Sequence, residues 1–311
     1  LASAPASSQP QFTYSELFAG VGGFGQALHN LGGGCVAAVE IEQHARRVYS
    51  ENSENEIFPA YARPVGEIDS LVKQHNDFYD HLHLNPSVPS TTPAFPATML
   101  FSDVTLVQPR HFPKHDILTA GFPCQPFSRL GCQPGLDDAR KGQLILHVIR
   151  LALAANVKVM FLENVPGLVS LQSGLTLCLI LRAISRAGYA VGYQIVDAKA
   201  VVPQYRRRIY IVAVRKDLVP VKQEKSQPEF HFPELPPLNR PVCAILQPDS
   251  CLTSSHMLSK AKWQHIQENV MGKKGNWKVC RPFDFAGTLV TSYRRGYNYN
   301  SQFVPVYPTE I

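Results

Sequence analysis

A chain of 311 residues with 45% hydrophobic and 17% charged side chains can bury a substantial core, and its length admits one large domain and a smaller one. Its longest apolar runs, such as 144–155 and 175–181, fall short of the roughly 18 residues of a membrane span, and seven cysteines without a CxxC pair exclude a disulfide framework and a zinc site and favour a reducing compartment. The net charge of +6 is uneven: residues 1–198 carry 13 Lys+Arg against 16 Asp+Glu and residues 199–311 carry 17 against 8, so the second part is a candidate polyanion surface.

In chain order, the small-residue and Pro-rich stretch 1–11 reads as a linker within a longer protein. "FTYSELFAG" (12–20) reads as a strand ending at glycines. "VGGFGQALHNLGGG" then gives a short helix closed by Gly32 to Gly34, and "CVAAVE" (35–40) a second strand. Residues 59–98 lack periodicity and are rich in Pro, Ser and Thr, which predicts a long surface insertion of disorder-prone composition. "HDILTAG" (115–121) and "VKVMFLENV" (157–165) are further strands, with helices over 142–155 and 174–188. Strands alternating with helices of this length imply βαβ units and an α/β fold with a doubly wound, mainly parallel sheet. Ligands of such sheets sit at the carboxyl ends of the strands, where Gly20, Glu40, Gly121 and Glu163 all fall. Residues 216–286 are polar and Pro-punctuated and suit a small second domain, after which 287–311 returns to the first, spanning 12–215.

Gly20, Gly22 and Gly25 fit G-x-G-x-x-G after a strand, with Glu40 placed to bind ribose hydroxyls. That pattern suits a nucleotide-type ligand, and equally a helix packed closely on a sheet. "GFPCQPFSRLG" (121–131) sets Cys124 between two prolines that can donate no backbone hydrogen bond.

Together "LFAGVGGF", "AVE", "FSDV", "GFPCQPFS", "LENV" and "VPQYRRRIYIV", in this order over about 16–215, resemble the cytosine-C5 DNA methyltransferases. The resemblance implies a Rossmann-like catalytic domain with a target-recognition domain at 216–286, S-adenosylmethionine as cofactor, and double-stranded DNA as partner. It implies Cys124 as the nucleophile that adds to C6 of an extruded cytosine, Glu163 as the acid at N3, and Arg208, supported by Arg206, at O2. The cofactor would meet Phe18, Ala19, Gly20, Gly22, Gly23, Glu40, Ile41, Asp103, Val104 and Pro123; the substrate would meet Phe122, Gln125, Ser128, Asn164 and Gln204. No metal is implied. Ser128, Arg129 and the residues after them would close over the base. Lys273, Lys274, Lys278, Arg281, Arg294 and Arg295, interleaved with Tyr293, Tyr297 and Tyr299, would contact phosphates.

Each residue also has a plainer reading: Cys124 as a small buried hydrophobe, Glu163 as a surface or capping acid, Asp103 as a turn residue and Phe18 as a core aromatic. Two other functions compete. A tRNA cytosine-C5 methyltransferase would share this core, but its usual "PPCQPF" and Cys-Phe-Thr signatures are not in the sequence; a catalytically silent nucleic-acid-binding module is disfavoured by the intact Cys124, Glu163 and Arg208. The expected location is the nucleus in a eukaryote and the cytoplasm otherwise. The final family motif, which packs beside the first strand, is not found in this sequence, and weak cofactor binding is expected of residues 1–311 alone.

Overall fold

The computed structural model of the chain describes residues 9–53, 55–84, 94–123, 144–219, 232–235, 240–269, 278–288 and 302–305. They divide into two compact units, one of residues 1–194 and 209–231, the other of 195–208 and 232–311.

The first unit begins with β1 (Phe12–Leu17), α1 (Gly23–His29), β2 (Gly33–Val39) and α2 (Gln43–Asn52). Gly32, with φ +84°, makes the turn after α1. Gly33 and Gly34 do not close that helix as the sequence suggests: they open β2, because a Cβ at either would run into the rings of Phe12 or Phe95. All seven residues of β2 are buried, as befits a strand covered on both faces.

The short β3 (Ile57–Phe58) leads to α3 (Val65–Leu84) and β4 (Thr98–Phe101). The 20-residue α3 corrects the expectation of an unpatterned segment over 59–98. Its buried positions Ile68, Leu71, Val72, His75, Phe78 and Tyr79 recur at helical spacing, and His75 bonds the Ala97 carbonyl at 2.9 Å. Then come β5 (Ile117–Ala120), α4 (Leu144–Ala154), β6 (Val159–Asn164), α5 (Leu175–Arg186), β7 (Tyr189–Asp197) and β8 (Arg207–Arg215). Helices α4 and α5 bury one stripe each, Ile145, Val148, Ile149 and Ala152 on one and Leu177, Ile180 and Ile184 on the other.

The strands form one sheet in the order β3-β4-β2-β1-β5-β6-β8-β7, parallel from β3 to β6, with β8 antiparallel to β6. The doubly wound, mainly parallel expectation holds. β1 has β2 on one side and β5 on the other, so the winding reverses there and leaves a crevice beyond the carboxyl ends of β1 and β5.

In the second unit, residues 203–205 meet Ala286 through a backbone bridge, α6 (Lys260–Asn269) packs Trp263 against Phe303, and β9 (Lys278–Val279) pairs in parallel with β10 (Gln302–Phe303). Among the described residues no helix is long and apolar enough to cross a membrane.

Candidate active site

The turn after β1 is the most constrained stretch of backbone in the first unit. Phe18 has φ +56°, Gly20 φ +57° and Gly22 φ +93°. A left-handed phenylalanine costs on the order of 1–3 kcal/mol and persists only where its surroundings impose it, a situation found chiefly at ligand sites. Here Ala19 N–H bonds the Val39 carbonyl at 3.0 Å and Gly20 N–H bonds Glu40 Oε2 at 2.7 Å, so the ends of β1 and β2 pin the turn from both sides. Space lies open over it: Cβ atoms at Gly20 and Gly23 would meet nothing within 4 Å. A turn built only for helix packing would fill that space. The sequence pattern left a ligand and packing in balance, and both apply at different glycines: Gly20 and Gly23 lie open, as a ligand needs, while a Cβ at Gly22 or Gly25 would meet Tyr49 or Glu16.

Glu40 is nearly buried, and its second oxygen accepts the Glu42 N–H at 2.8 Å, so each carboxylate oxygen takes one backbone bond and keeps acceptor capacity. Arg46 Nη1 donates to the carbonyls of Glu40 and Ile41 at 2.7 and 2.6 Å, holding this corner, while the Ile41 side chain is 68% exposed at the mouth of the crevice. Asp103, past the end of β4, accepts both the N–H and the hydroxyl of Thr105 at 2.8 Å, the bonds of a turn residue; Val104 beside it is buried. These residues border one crevice, since β1, β2 and β4 are adjacent and parallel.

On its other side β5 ends at Ala120, and Gly121, Phe122 and Pro123 lead toward Cys124. A Cβ on Gly121 would stand 3.6 Å from Glu163 Oε2, so the half-buried carboxylate at the end of β6 lies against the start of this loop. Asn164 next to it is 2% exposed; its Nδ2 donates to the Phe122 carbonyl at 2.8 Å and its Oδ1 accepts the Val165 N–H at 2.8 Å. Asn164 thereby clamps the loop to β6. Cys124, Gln125, Ser128 and Arg129 lie outside the described residues.

In the second unit, Arg206 and Arg208 are half-buried and Arg207 exposed, the two-residue alternation of extended chain. Arg206 N–H bonds Asp197 Oδ1 at 3.2 Å, Arg208 Nη1 bonds the Arg207 carbonyl at 2.8 Å, and Gln204 Nε2 bonds the Gly287 carbonyl at 3.2 Å. Of the supposed phosphate contacts, Lys278 lies in β9 and Arg281 is exposed; Lys273, Lys274, Arg294, Arg295, Tyr293, Tyr297 and Tyr299 fall outside the described residues.

One group the sequence reading passed over lies beneath the turn. Glu16 on β1 is 1% exposed and accepts the Gly25 N–H at 2.6 Å and the Tyr49 hydroxyl at 3.1 Å. Burial pushes its pKa from an ordinary 4.5 up to about 7, against the lowering effect of those bonds. The only signal in the sequence was an acid in a strand otherwise flanked by apolar positions. Because the folded pKa is the higher one, the protonated group favours folding: its contribution is complete below pH 4.5 and lost as pH rises through 7, a swing of about 3 kcal/mol. Glu16→Gln, which keeps the acceptor, is therefore expected to gain stability relative to wild type between pH 5 and pH 8. Urea melts at the two pH values check it. Buried His75 and His115, each held neutral by desolvation with a pKa near 4, tilt both proteins the other way below 6.5 and cancel in the difference. A gap between the two proteins that does not change with pH would refute the assignment.

Residues 12–82 and 93–304 match the sequence profile of the C-5 cytosine-specific DNA methylases. The chain belongs to this family. The type II methyltransferase M.MspI of Moraxella sp is 28% identical over 298 residues, covering 94% of this chain and 57% of that protein. M.HhaI of Haemophilus parahaemolyticus is 31% identical over 238 residues, covering 76% and 57%, and M.HgiBI of Herpetosiphon aurantiacus 34% identical over 229 residues, covering 71% and 43%. The chain thus spans about half the length of the curated relatives it matches. Among solved structures, a mutant of Spodoptera frugiperda DNMT2 superposes with a TM-score of 0.61 at 20% identity over 96% of this chain and 76% of that one. The S. pombe Dnmt2 methyltransferase gives 0.55 at 17% identity over 96% and 78%. These two likenesses establish the methylase fold.

Proposed function

We propose that this C-5 cytosine-specific methylase transfers a methyl group from S-adenosylmethionine to C5 of a cytosine in double-stranded DNA, extruded from the helix. The observation that carries the reading is that the open glycine turn after β1 and the Glu163 carboxylate against Gly121 border one crevice, at the reversal point of the sheet. The names of the relatives, type II methyltransferases, support it.

The residues present suit the cofactor. Gly20 and Gly23, beside Ala19 and Gly22, leave room for its methionine end, the remaining acceptor capacity of Glu40 suits ribose hydroxyls, and Phe18, Ile41, Asp103, Val104 and Pro123 suit the adenine. Bound there, S-adenosylmethionine supplies an electrophilic methyl group. The chain's own work is to make C5 nucleophilic. Cys124 Sγ adds to C6, which moves the C5–C6 π electrons onto C5; Glu163 holds a proton at N3, and Arg208, backed by Arg206, offsets the charge at O2. Once C5 carries the methyl group, a base takes the C5 proton, and the C–H electron pair re-forms the double bond as the C6–S bond to Cys124 breaks. Phe122, Gln125, Ser128, Asn164 and Gln204 position the base, Asn164 by fixing the Phe122 carbonyl.

The basic residues of 199–311 face the DNA in this reading, with 216–286 reading the sequence and 287–311 returning to the catalytic domain. A reducing compartment that holds DNA is the matching setting, and among the described residues Cys35, Cys178, Cys243 and Cys251 are thiols outside any disulfide.

Tritium transfer from labelled S-adenosylmethionine to duplex DNA, set beside the same assay on tRNA, tests the reading. Label in DNA is the expected result; label confined to tRNA, or in neither, overturns it. Glu163→Gln should lower turnover on DNA by about 10²-fold or more while leaving DNA affinity nearly unchanged, on the scale of a lost general acid. Turnover is read in the same assay, and a variant altered only in cofactor affinity would remove Glu163 from N3.

A further inference from the structure

Helices α1 and α2 leave a cavity of about 260 Å³ between them, beneath the glycine turn at the end of β1. It is lined by Glu16 from β1, Gly22 of the turn, Gly23 and His29 from α1, and Tyr49 and Asn52 from α2, among others. Glu16 lies in its wall. Gly25 is what lets α1 approach so closely, since a Cβ there would collide with Glu16 Oε2.

The carboxylate is partly satisfied. Oε1 accepts the Gly25 N–H, Oε2 is the acceptor for the Tyr49 hydroxyl, and the Phe24 N–H also bears on the group, which leaves some acceptor capacity open. Among the described residues no Lys, Arg or His lies in an ion pair with it. Buried carboxylates are otherwise paired, metal-bound or neutralised. Two hydroxyls stand near it: Tyr14 donates to the Gly25 carbonyl at 3.1 Å, and the Tyr49 hydroxyl lies 3.4 Å from the Cys35 sulfur. The cavity is several times the volume of one water, about 30 Å³, and has room for a guanidinium with a short stem.

We infer that this cavity is a binding site for an organic cation, a guanidinium or alkylammonium group seated on the open positions of the Glu16 carboxylate between α1 and α2. A cationic N–H matches the remaining acceptor capacity of the carboxylate as a charge-assisted hydrogen bond. Because the cavity borders Gly22 and Gly23, occupancy bears from beneath on the same glycine turn that borders the crevice. The site does not depend on the methyl-transfer reading.

Calorimetric titration of the full chain with agmatine, N-acetylarginine amide and the neutral N-acetylcitrulline amide at pH 8 tests this. Saturable binding of at least one cation is expected, with the citrulline analogue weaker by about tenfold or more, as for a lost charge-assisted hydrogen bond. Glu16→Gln should weaken the cation by a similar factor. Asn52→Trp, which plugs the cavity from α2 and leaves the carboxylate in place, should do the same and answers the question if Glu16→Gln does not fold. Tighter binding of agmatine than of N-acetylarginine amide identifies a free small molecule as the occupant, and the reverse order an arginine side chain of a protein. No saturable binding of either cation, equal binding of arginine and citrulline analogues, or undiminished affinity in both folded variants overturns the site.

Discussion

Cys124→Ser is expected to abolish methyl transfer to DNA, with turnover falling by about 10³-fold or more, while DNA and cofactor binding change little. The reason lies in the first bond to form. C6 of cytosine is a weak electrophile, and only an anionic sulfur adds to it readily; a thiol ionises near pH 8.5, within reach of a neighbouring positive group, whereas a hydroxyl at neutral pH is essentially never ionised. Serine is close to cysteine in size and leaves the neighbouring Pro123 and Pro126 in the sequence, so loss of turnover with retained binding separates chemistry from folding. The complementary measurement uses DNA carrying 5-fluorocytosine. Its fluorine cannot leave as the C5 proton does, so the wild-type chain should remain joined to the DNA through Cys124 in a gel stable to denaturant, and the serine variant should not. Serine turnover equal to wild type, or an adduct formed by both proteins, would sink the nucleophile assignment.

How far the sequence itself disclosed the molecule depends on which physical signal each element carries. The strands that pack between helix layers announce themselves as apolar runs, and β1, β2, β5 and β6 fall within a few residues of where the runs place them. The helix α3 escaped because the Pro-, Ser- and Thr-rich residues after it dominate the composition of that stretch, and because two of its buried positions, His75 and Tyr79, do not look apolar. Its spacing was present all along. Gly33 and Gly34 misled for another reason: glycine after a helix ordinarily marks a cap, and only the rings of Phe12 and Phe95, the latter far along the chain, explain why two glycines begin a strand.

The candidate site divides the same way. Short motifs located Gly20, Glu40, Gly121 and Glu163 at strand ends, since a ligand crevice in a parallel sheet must lie there. What spacing cannot give is what each polar atom does. Asn164 sits inside a motif, yet its amide holds the Phe122 carbonyl and the Val165 N–H; Asp103 binds Thr105 in its own turn. Glu16 stands in the same strand as the glycine turn and gave no motif signal, because its importance arises from Gly25 and Tyr49 closing over it. Burial and partners are three-dimensional facts.

At the amino ends of the same strands, Asp116→Ala is expected to cost about 1–3 kcal/mol of folding stability at neutral pH, the range for leaving a buried donor without its acceptor. Asp116 precedes β5 and is 6% exposed. It accepts the Thr13 N–H at 2.9 Å at the start of β1 and pairs with Lys158 before β6 at 2.8 Å and with His83 near the end of α3 at 3.0 Å. One carboxylate thus ties three neighbouring strands to the helix that covers their amino ends. Desolvation pushes its pKa up, but Lys158, the Thr13 N–H and His83 outweigh it and hold the group below the ordinary 3.8. With the folded pKa the lower one, its contribution is present above pH 3.8 and lost as pH falls through the folded value, so wild type and Asp116→Ala should converge in acid. Lys158→Met should cost less, since without it the carboxylate still accepts from Thr13 and His83. Urea melts across pH supply the numbers. Turnover per folded molecule should be unchanged in Asp116→Ala, because the crevice lies at the opposite ends of these strands; a stable variant with lost turnover would instead mean that Asp116 acts on the crevice through β5 and not as a tie between strands.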